Sequence, residues 1–263
     1  MEGIKTVFLD LDGTVLHDDV KVSKRLIEVI NKLKEKINFF VSTGRSFYSA
    51  YPIIEELGLK DEAITYNGAR IVDVKTKSVL SERALSTEKV KKIIKISRET
   101  GVHLNLYNSD KWYVENEDEE SVLYSSETGI KWYLANFNDF LEKKSTKALF
   151  IADRKKLEEL KKILEKELTG VDYVFSRDFF LEILDKGVNK GSAVENILKT
   201  YNVSKENAMA FGDQWNDFEM LKYVKYGYLM GNAPVELKKE FSGKNITLTN
   251  NEDGVAHILE KLI

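Results

Sequence analysis

The chain has 263 residues, 43% of them hydrophobic and 32% charged, enough apolar material to bury a core and too much for a disordered chain. Lys and Arg total 40 against 43 Asp and Glu, a formal charge of −3 that lacks the basic excess of a nucleic-acid-wrapping protein. Cysteine is absent, which excludes disulfides, zinc fingers, thiol nucleophiles and iron–sulfur clusters, and the histidines (His17, His103, His257) are too scattered for a histidine-rich metal site or a His-based triad.

Thr6–Leu9 reads as a short buried strand broken by Asp10-Leu11-Asp12-Gly13. Ser23 caps a helix whose Leu26, Ile30 and Leu33 share one face. Phe39-Phe40-Val41 is a second strand ending at Ser42-Thr43-Gly44-Arg45, and a helix over Phe47–Leu57 stops at Gly58. Ala63–Tyr66 is a third strand, closed by a turn at Asn67-Gly68. Apolar strands alternating with helices predict a Rossmann-like parallel sheet with helices on both faces. From about residue 81 to 185 the rhythm changes. A helix over Glu88–Thr100 precedes a hairpin of His103–Tyr107 and Trp112–Glu115 around Asn108-Ser109-Asp110. A strand at Lys147–Ala152, a charged helix at Lys155–Leu168 and strands at Asp172–Phe175 and Phe180–Leu184 complete an α+β unit with a sheet covered on one face. The first rhythm then returns: helix Gly191–Tyr201, strand Ala208–Phe211, helix Asp217–Val224, and strands near Tyr226–Leu229 and Ile246–Leu248. The expected organisation is an α/β core formed by 1–80 and 186–263, interrupted by an inserted domain over 81–185.

Ligands of open parallel sheets bind at the carboxyl ends of the strands. Three strands end there in residues unsuited to a core: Asp10 and Asp12, Ser42-Thr43, and Gly212-Asp213 with Asn216 and Asp217 beyond. If these strands are neighbours, four carboxylates crowd one sheet edge. Like charges so close repel and are costly to desolvate, and a divalent cation is the usual remedy. Oxygen ligands without Cys or His suit Mg²⁺, which also bridges to phosphate. A carboxylate can attack phosphorus, and a second acid can protonate the leaving oxygen and then activate water. Lys190, at a helix start, adds a cation suited to a phosphate. Taken singly, each element has a plainer reading as a cap, a turn or a solvated lysine. Their order, all at strand ends, argues for the chemistry.

Phe8-Leu9-Asp10-Leu11-Asp12-Gly13-Thr14-Val15-Leu16, Ser42-Thr43-Gly44-Arg45, Lys190-Gly191 and Gly212-Asp213-Gln214-Trp215-Asn216-Asp217-Phe218-Glu219-Met220-Leu221 together resemble the four motifs of the haloacid dehalogenase superfamily, in its Cof-type sugar-phosphatase branch. Tyr66-Asn67-Gly68-Ala69 and Met230-Gly231-Asn232-Ala233 are similar to further signatures of that branch. The resemblance spans essentially the whole chain and implies an α/β core with a substrate-selecting α/β cap at 81–185. It implies that Asp10 is the nucleophile of an aspartyl-phosphate pathway and Asp12 the general acid/base. Leu11, Thr43, Gly44, Lys190 and Asn216 would contact the phosphoryl group or substrate, with Lys190 also neutralising charge on Asp10. Asp10, Asp12 and Asp213 would hold Mg²⁺, with Asp217 supporting them. Arg45 either points toward substrate or pairs with an acid, and Trp215 either packs against the cap or fills core or packs behind the site, the latter being favoured. The activity implied is hydrolysis of a small phosphorylated metabolite, a sugar phosphate by resemblance. The alternatives are a phosphotransferase or phosphomutase of the same fold, or a non-catalytic sugar-phosphate-binding or signalling module. A response-regulator receiver lacks the D-x-D-G-T opening, and a P-type ATPase needs membrane spans. No nucleic-acid or membrane partner is expected, and the chain should be a monomer or weak homo-oligomer. No run of ~18 apolar residues is present, and Met1-Glu2-Gly3-Ile4-Lys5 leads straight into a folded pattern, so a cytoplasmic protein is expected.

Overall fold

A computed structural model describes residues 3–241 and 245–263; Met1 and Glu2, part of the opening segment read above, lie outside the described residues. The chain forms two compact units, one of residues up to Ser81 together with those from Asn189 onward, the other of Glu82–Val188.

The first unit opens with β1 (Thr6–Leu9), α1 (Lys24–Leu33), β2 (Asn38–Ser42), α2 (Phe47–Glu56), β3 (Glu62–Thr65), β4 (Arg70–Asp73) and β5 (Val79–Glu82). The second unit then runs through α3 (Thr87–Thr100), β6 (His103–Asn108), β7 (Lys111–Val114), α4 (Glu119–Thr128), β8 (Tyr133–Leu134), β9 (Ala148–Ile151), α5 (Arg154–Glu167), β10 (Val171–Arg177) and β11 (Phe180–Asp185). The first unit is completed by α6 (Lys190–Thr200), β12 (Ala208–Gly212), α7 (Phe218–Tyr223), β13 (Tyr226–Leu229), α8 (Val235–Glu240) and α9 (Gly254–Leu259).

The seven-stranded sheet of the first unit has the order β13-β12-β1-β2-β3-β4-β5. From β13 to β3 the pairing is parallel, with Thr6 opposite both Ala208 and Asn38. Side chains alternate across this sheet as the two-residue period requires. Val7, Leu9, Phe39, Val41, Met209 and Phe211 face a core shared with α1, α2 and α9. Phe8, Phe40, Ala208 and Ala210 face a second core built with α6, α7 and α8. Strands buried on both faces are why these segments read as unbroken apolar runs. Each fully buried Leu, Ile or Phe contributes ~1.5–3 kcal/mol, so β1 is fixed by its packing as well as by its ladder. Ser23 accepts from the Leu26 amide, which starts α1 where the sequence places it.

Beyond the parallel core expected from the sequence, the sheet gains an antiparallel pairing at β4. β3 and β4 pair antiparallel, joined through Tyr66 and Asn67, both at positive φ, so β3 stops at Thr65. Ile246 makes a single bridge to Leu229, not a strand, because 247–249 turn into the segment capping α9. The short helices α8 and α9 carry few turns of periodic signal and were not read from the sequence.

The second unit is a six-stranded sheet in the order β10-β11-β9-β6-β7-β8, antiparallel except between β7 and β8. Leu104, Leu106, Ala148, Phe150, Leu181 and Ile183 pack with α3 and α5 on one face. The opposite face carries Asn105, Tyr107, Lys147 and Glu182, all buried. Helix α4, which the sequence reading missed, contributes Tyr124, whose ring packs edge-on to Trp112 and Phe180 of that face.

Candidate active site

Asp10 extends β1 by one residue, its amide donating to the Phe211 carbonyl at 3.1 Å. The chain then turns through Gly13 at φ +73°, where a Cβ would lie 2.4 Å from Asp213 Oδ2. Only glycine lets this loop approach the loop after β12 so closely. Gly212 is constrained likewise, since a Cβ there would sit 2.4 Å from the Asp217 side chain.

Asn189 caps α6 with a reciprocal Ser192 pair, so Lys190 enters at the helix start. Its side chain is fully buried and donates to Asp10 Oδ1 at 2.6 Å and Asp217 Oδ1 at 2.5 Å. The other oxygen of Asp217 accepts the amides of Asp213 and Gln214, each at 3.0 Å. Asp217 therefore ties its own loop to Lys190. One oxygen from each of Asp10, Asp213 and Asp217 lies within 4.8 Å of the others. Asp213 Oδ1 is buried without a hydrogen-bond partner among the described residues.

Three buried carboxylates face one ammonium. Burial, then the Asp217 charge, push the Asp10 carboxyl up to about 7 against the pull of Lys190. Burial, then Asp10 and Asp217, push Asp213 up to about 8. Burial alone would lower Lys190, but Asp10 and Asp217 outweigh it and the net shift is upward. The cluster is short of positive charge, and its orphaned oxygen points the same way. An all-oxygen donor set of this kind fits Mg²⁺.

Thr43 is held at the end of β2: its amide donates to Ile64, its carbonyl accepts from Asn67 and its hydroxyl from the Arg45 amide. Gly44 sits beside Asn67, where an added Cβ would be 3.0 Å from Asn67 Oδ1. Asn216 donates to that same oxygen at 2.9 Å, and its own Oδ1 is buried without a partner among the described residues. The side chain of Leu11 lies in the core while its carbonyl closes the turn after β1.

Two expectations change. The four carboxylates do not gather together: Asp12 is half-exposed and its carboxylate is gripped by Arg45, whose Nε and Nη2 donate at 2.7 and 2.6 Å. Arg45 thus pairs with an acid. Trp215 is 43% exposed and rests against Phe218 instead of filling core, because it begins the turn leading into α7 and faces outward there. Sequence reasoning also undervalued two asparagines. Asn67, read as a plain turn, is buried between Gly44 and Asn216. Asn232 donates to the Gly13 carbonyl at 2.8 Å and to Asp213 Oδ2 at 3.4 Å. Their signal was the Asn-Gly and Gly-Asn-Ala pairs at strand ends.

Residues 7–259 match the family model of haloacid dehalogenase-like hydrolases. The chain belongs to that family. It is 31% identical over 252 residues to an HMP-PP phosphatase of Yersinia pseudotuberculosis, covering 95% of this chain and 92% of the relative. A solved haloacid dehalogenase-like hydrolase from Bacteroides thetaiotaomicron superposes with a TM-score of 0.89 at 28% identity, over 99% of this chain and all of that one. A Thermotoga maritima structure gives 0.86 at 30% identity, over 98% and 97% of the two chains. The protein is accordingly an enzyme of the haloacid dehalogenase phosphatase type. No helix among the described residues is long and apolar enough to cross a membrane.

Proposed function

We propose that this enzyme is a Mg²⁺-dependent phosphatase that hydrolyses a phosphomonoester of a small metabolite through an aspartyl-phosphate on Asp10. The observation that carries the reading is the convergence of Asp10, Asp213, Asp217 and Lys190 at the ends of adjacent parallel strands. Asp10 and Asp213, with the backbone carbonyl of Asp12, would hold Mg²⁺, which supplies charge neutralisation for the phosphoryl group. Asp217 braces the Asp213 loop.

Asp10 attacks phosphorus, and Lys190 offsets charge on the nucleophile and the transferring group. Thr43, Gly44 and Asn216 position the phosphoryl oxygens, and Leu11 contributes through its backbone. Asp12 protonates the leaving oxygen and then takes a proton from water as the phosphoenzyme is hydrolysed. Phosphoryl transfer depends mainly on such positioning and neutralisation.

Residues 82–188 form the cap that selects substrate. The family resemblance favours a sugar phosphate, and the compound that names the HMP-PP phosphatase relatives belongs in the same test panel. We expect action in the cytoplasm, as a monomer or weak homo-oligomer. The test is phosphate release from p-nitrophenyl phosphate with Mg²⁺ or EDTA. Turnover that needs Mg²⁺ and disappears in Asp10→Asn is the expected result. Turnover that survives the substitution would remove Asp10 as nucleophile.

A further inference from the structure

The Arg45 guanidinium closes a two-pronged bond on Asp12, and its backbone is tied at both amide and carbonyl. The Arg45 amide donates to Thr43 Oγ1 at 3.1 Å, and its carbonyl accepts the Tyr66 amide at 3.0 Å. Its side chain is largely buried, whereas that of Asp12 is half-exposed. A half-exposed aspartate left to itself exchanges among staggered rotamers. Here both carboxylate oxygens are held in the planar fork geometry that a guanidinium matches and an ammonium does not. Asp12 lies outside the group of close oxygens formed by Asp10, Asp213 and Asp217, and its charge is the smallest of the influences on Asp10, so the two-pronged bond does more than balance charge in that cluster.

We propose that Arg45 is a positioning residue for the second half-reaction: it presents Asp12 as an oriented carboxylate, ready to take a proton from the attacking water. This rests on the proposed acid/base role of Asp12. In that step the water oxygen bonds to phosphorus and the bond from phosphorus to the Asp10 oxygen breaks. Its electron pair returns to the Asp10 carboxylate, the water proton passes to Asp12, and inorganic phosphate leaves. In the first half-reaction Asp12 gives a proton to the leaving oxygen, which a p-nitrophenolate leaving group does not require. Arg45 should therefore govern phosphoenzyme breakdown far more than phosphoenzyme formation with that substrate.

The experiment is rapid-quench kinetics with p-nitrophenyl phosphate and Mg²⁺, following first-turnover p-nitrophenolate release and the decay of acid-stable phosphoenzyme separately. Arg45→Ala should slow decay roughly 10–100-fold, the scale of a misplaced general base, while release changes less than about threefold. Arg45→Lys should fall between Arg45→Ala and wild type, because one ammonium cannot reproduce the fork. Thermal melts establish that both variants are folded, and Arg45→Lys carries the test if Arg45→Ala is not. Equal slowing of both steps, slowing of release alone, or no slowing would overturn the proposal. Asp12→Asn separates the two levels. If it leaves decay untouched, the acid/base reading and the proposal fall together. If it slows decay and the Arg45 variants do not, the proposal falls alone.

Discussion

Each unit of the molecule buries a lysine against carboxylate, and the two arrangements differ in balance. In the second unit Lys147 meets Glu182 at 3.0 Å, with its ammonium 5.0 Å from the centre of the Tyr107 ring. Here an ammonium and a carboxylate meet directly, and burial, which would lower Lys147, is outweighed chiefly by Glu182 so that its net shift is upward. In the first unit Lys190 must answer Asp10 and Asp217 with Asp213 alongside, and an oxygen of Asp213 stays unpaired among the described residues. Burial of charge is common to both. What sets the first unit's cluster apart is surplus negative charge at the open ends of parallel strands, which is the ground for proposing a cation and a phosphate there. Buried ion pairs as such are weak evidence for either stability or function.

The largest effects should come from unbalancing the clusters. Lys190→Ala should cut phosphate release by ~10³-fold or more, through loss of charge neutralisation at the phosphoryl group, as steady-state assays would read. Lys147→Ala should cost ~3–5 kcal/mol in denaturant unfolding, because the buried Glu182 carboxylate loses the ammonium 3.0 Å away. Replacing the whole pair, Lys147→Met with Glu182→Leu, should stay within ~1.5 kcal/mol of wild type; a loss as large as that of the single variant would break the comparison.

The next effect is a pH dependence. Asp10 and Asp213 sit up to about 7 and 8 when folded, above the ordinary 3.8 they regain on unfolding. The folded chain thus holds protons the unfolded chain releases, so their contribution is full below about pH 4 and is lost as pH rises through about 7–8. In EDTA the melting temperature should fall across that window, and Mg²⁺ should flatten the fall by favouring the ionised acids. A slope unaffected by Mg²⁺ would mean the cation does not bind these groups. The smallest effect expected is for Asn232→Ala, which should weaken Mg²⁺ binding by roughly tenfold, since the Asn232 amide steadies the Gly13 carbonyl and Asp213.

Much of this was legible because the strands of the first sheet are buried on both faces and end in residues that cannot be core. Thr6–Leu9, Phe39–Val41 and Ala208–Phe211 announced themselves as strands, and the polar residues after them announced the site. Helices with caps and a long apolar stripe, such as α1 and α3, were readable for the same reason. The extension of the sheet at β4 and β5 was not, because β5 is mostly exposed and carries no buried period. Helix α4 escaped because Ser121 alone among its described side chains is fully buried, leaving no stripe to see. The partner of Arg45 could not be read from spacing, since 33 residues separate it from Asp12 and only the β1–β2 pairing brings them together.

The order of the strands also has a bearing on how the protein comes into being. β1 is an interior strand of its sheet, yet its neighbour β12 is about 200 residues further along the chain. At synthesis rates of ~5–20 residues per second, β1 waits roughly 10–40 s with one edge unpaired. Its ladder groups and apolar faces are exposed for that time, a standing invitation to mispairing. The nascent chain also holds Asp10 without Asp213, Asp217 or Lys190, so the carboxylate cluster is assembled last, when the final third of the polypeptide folds back. Any factor that shields a free strand edge during translation would act on this enzyme at β1.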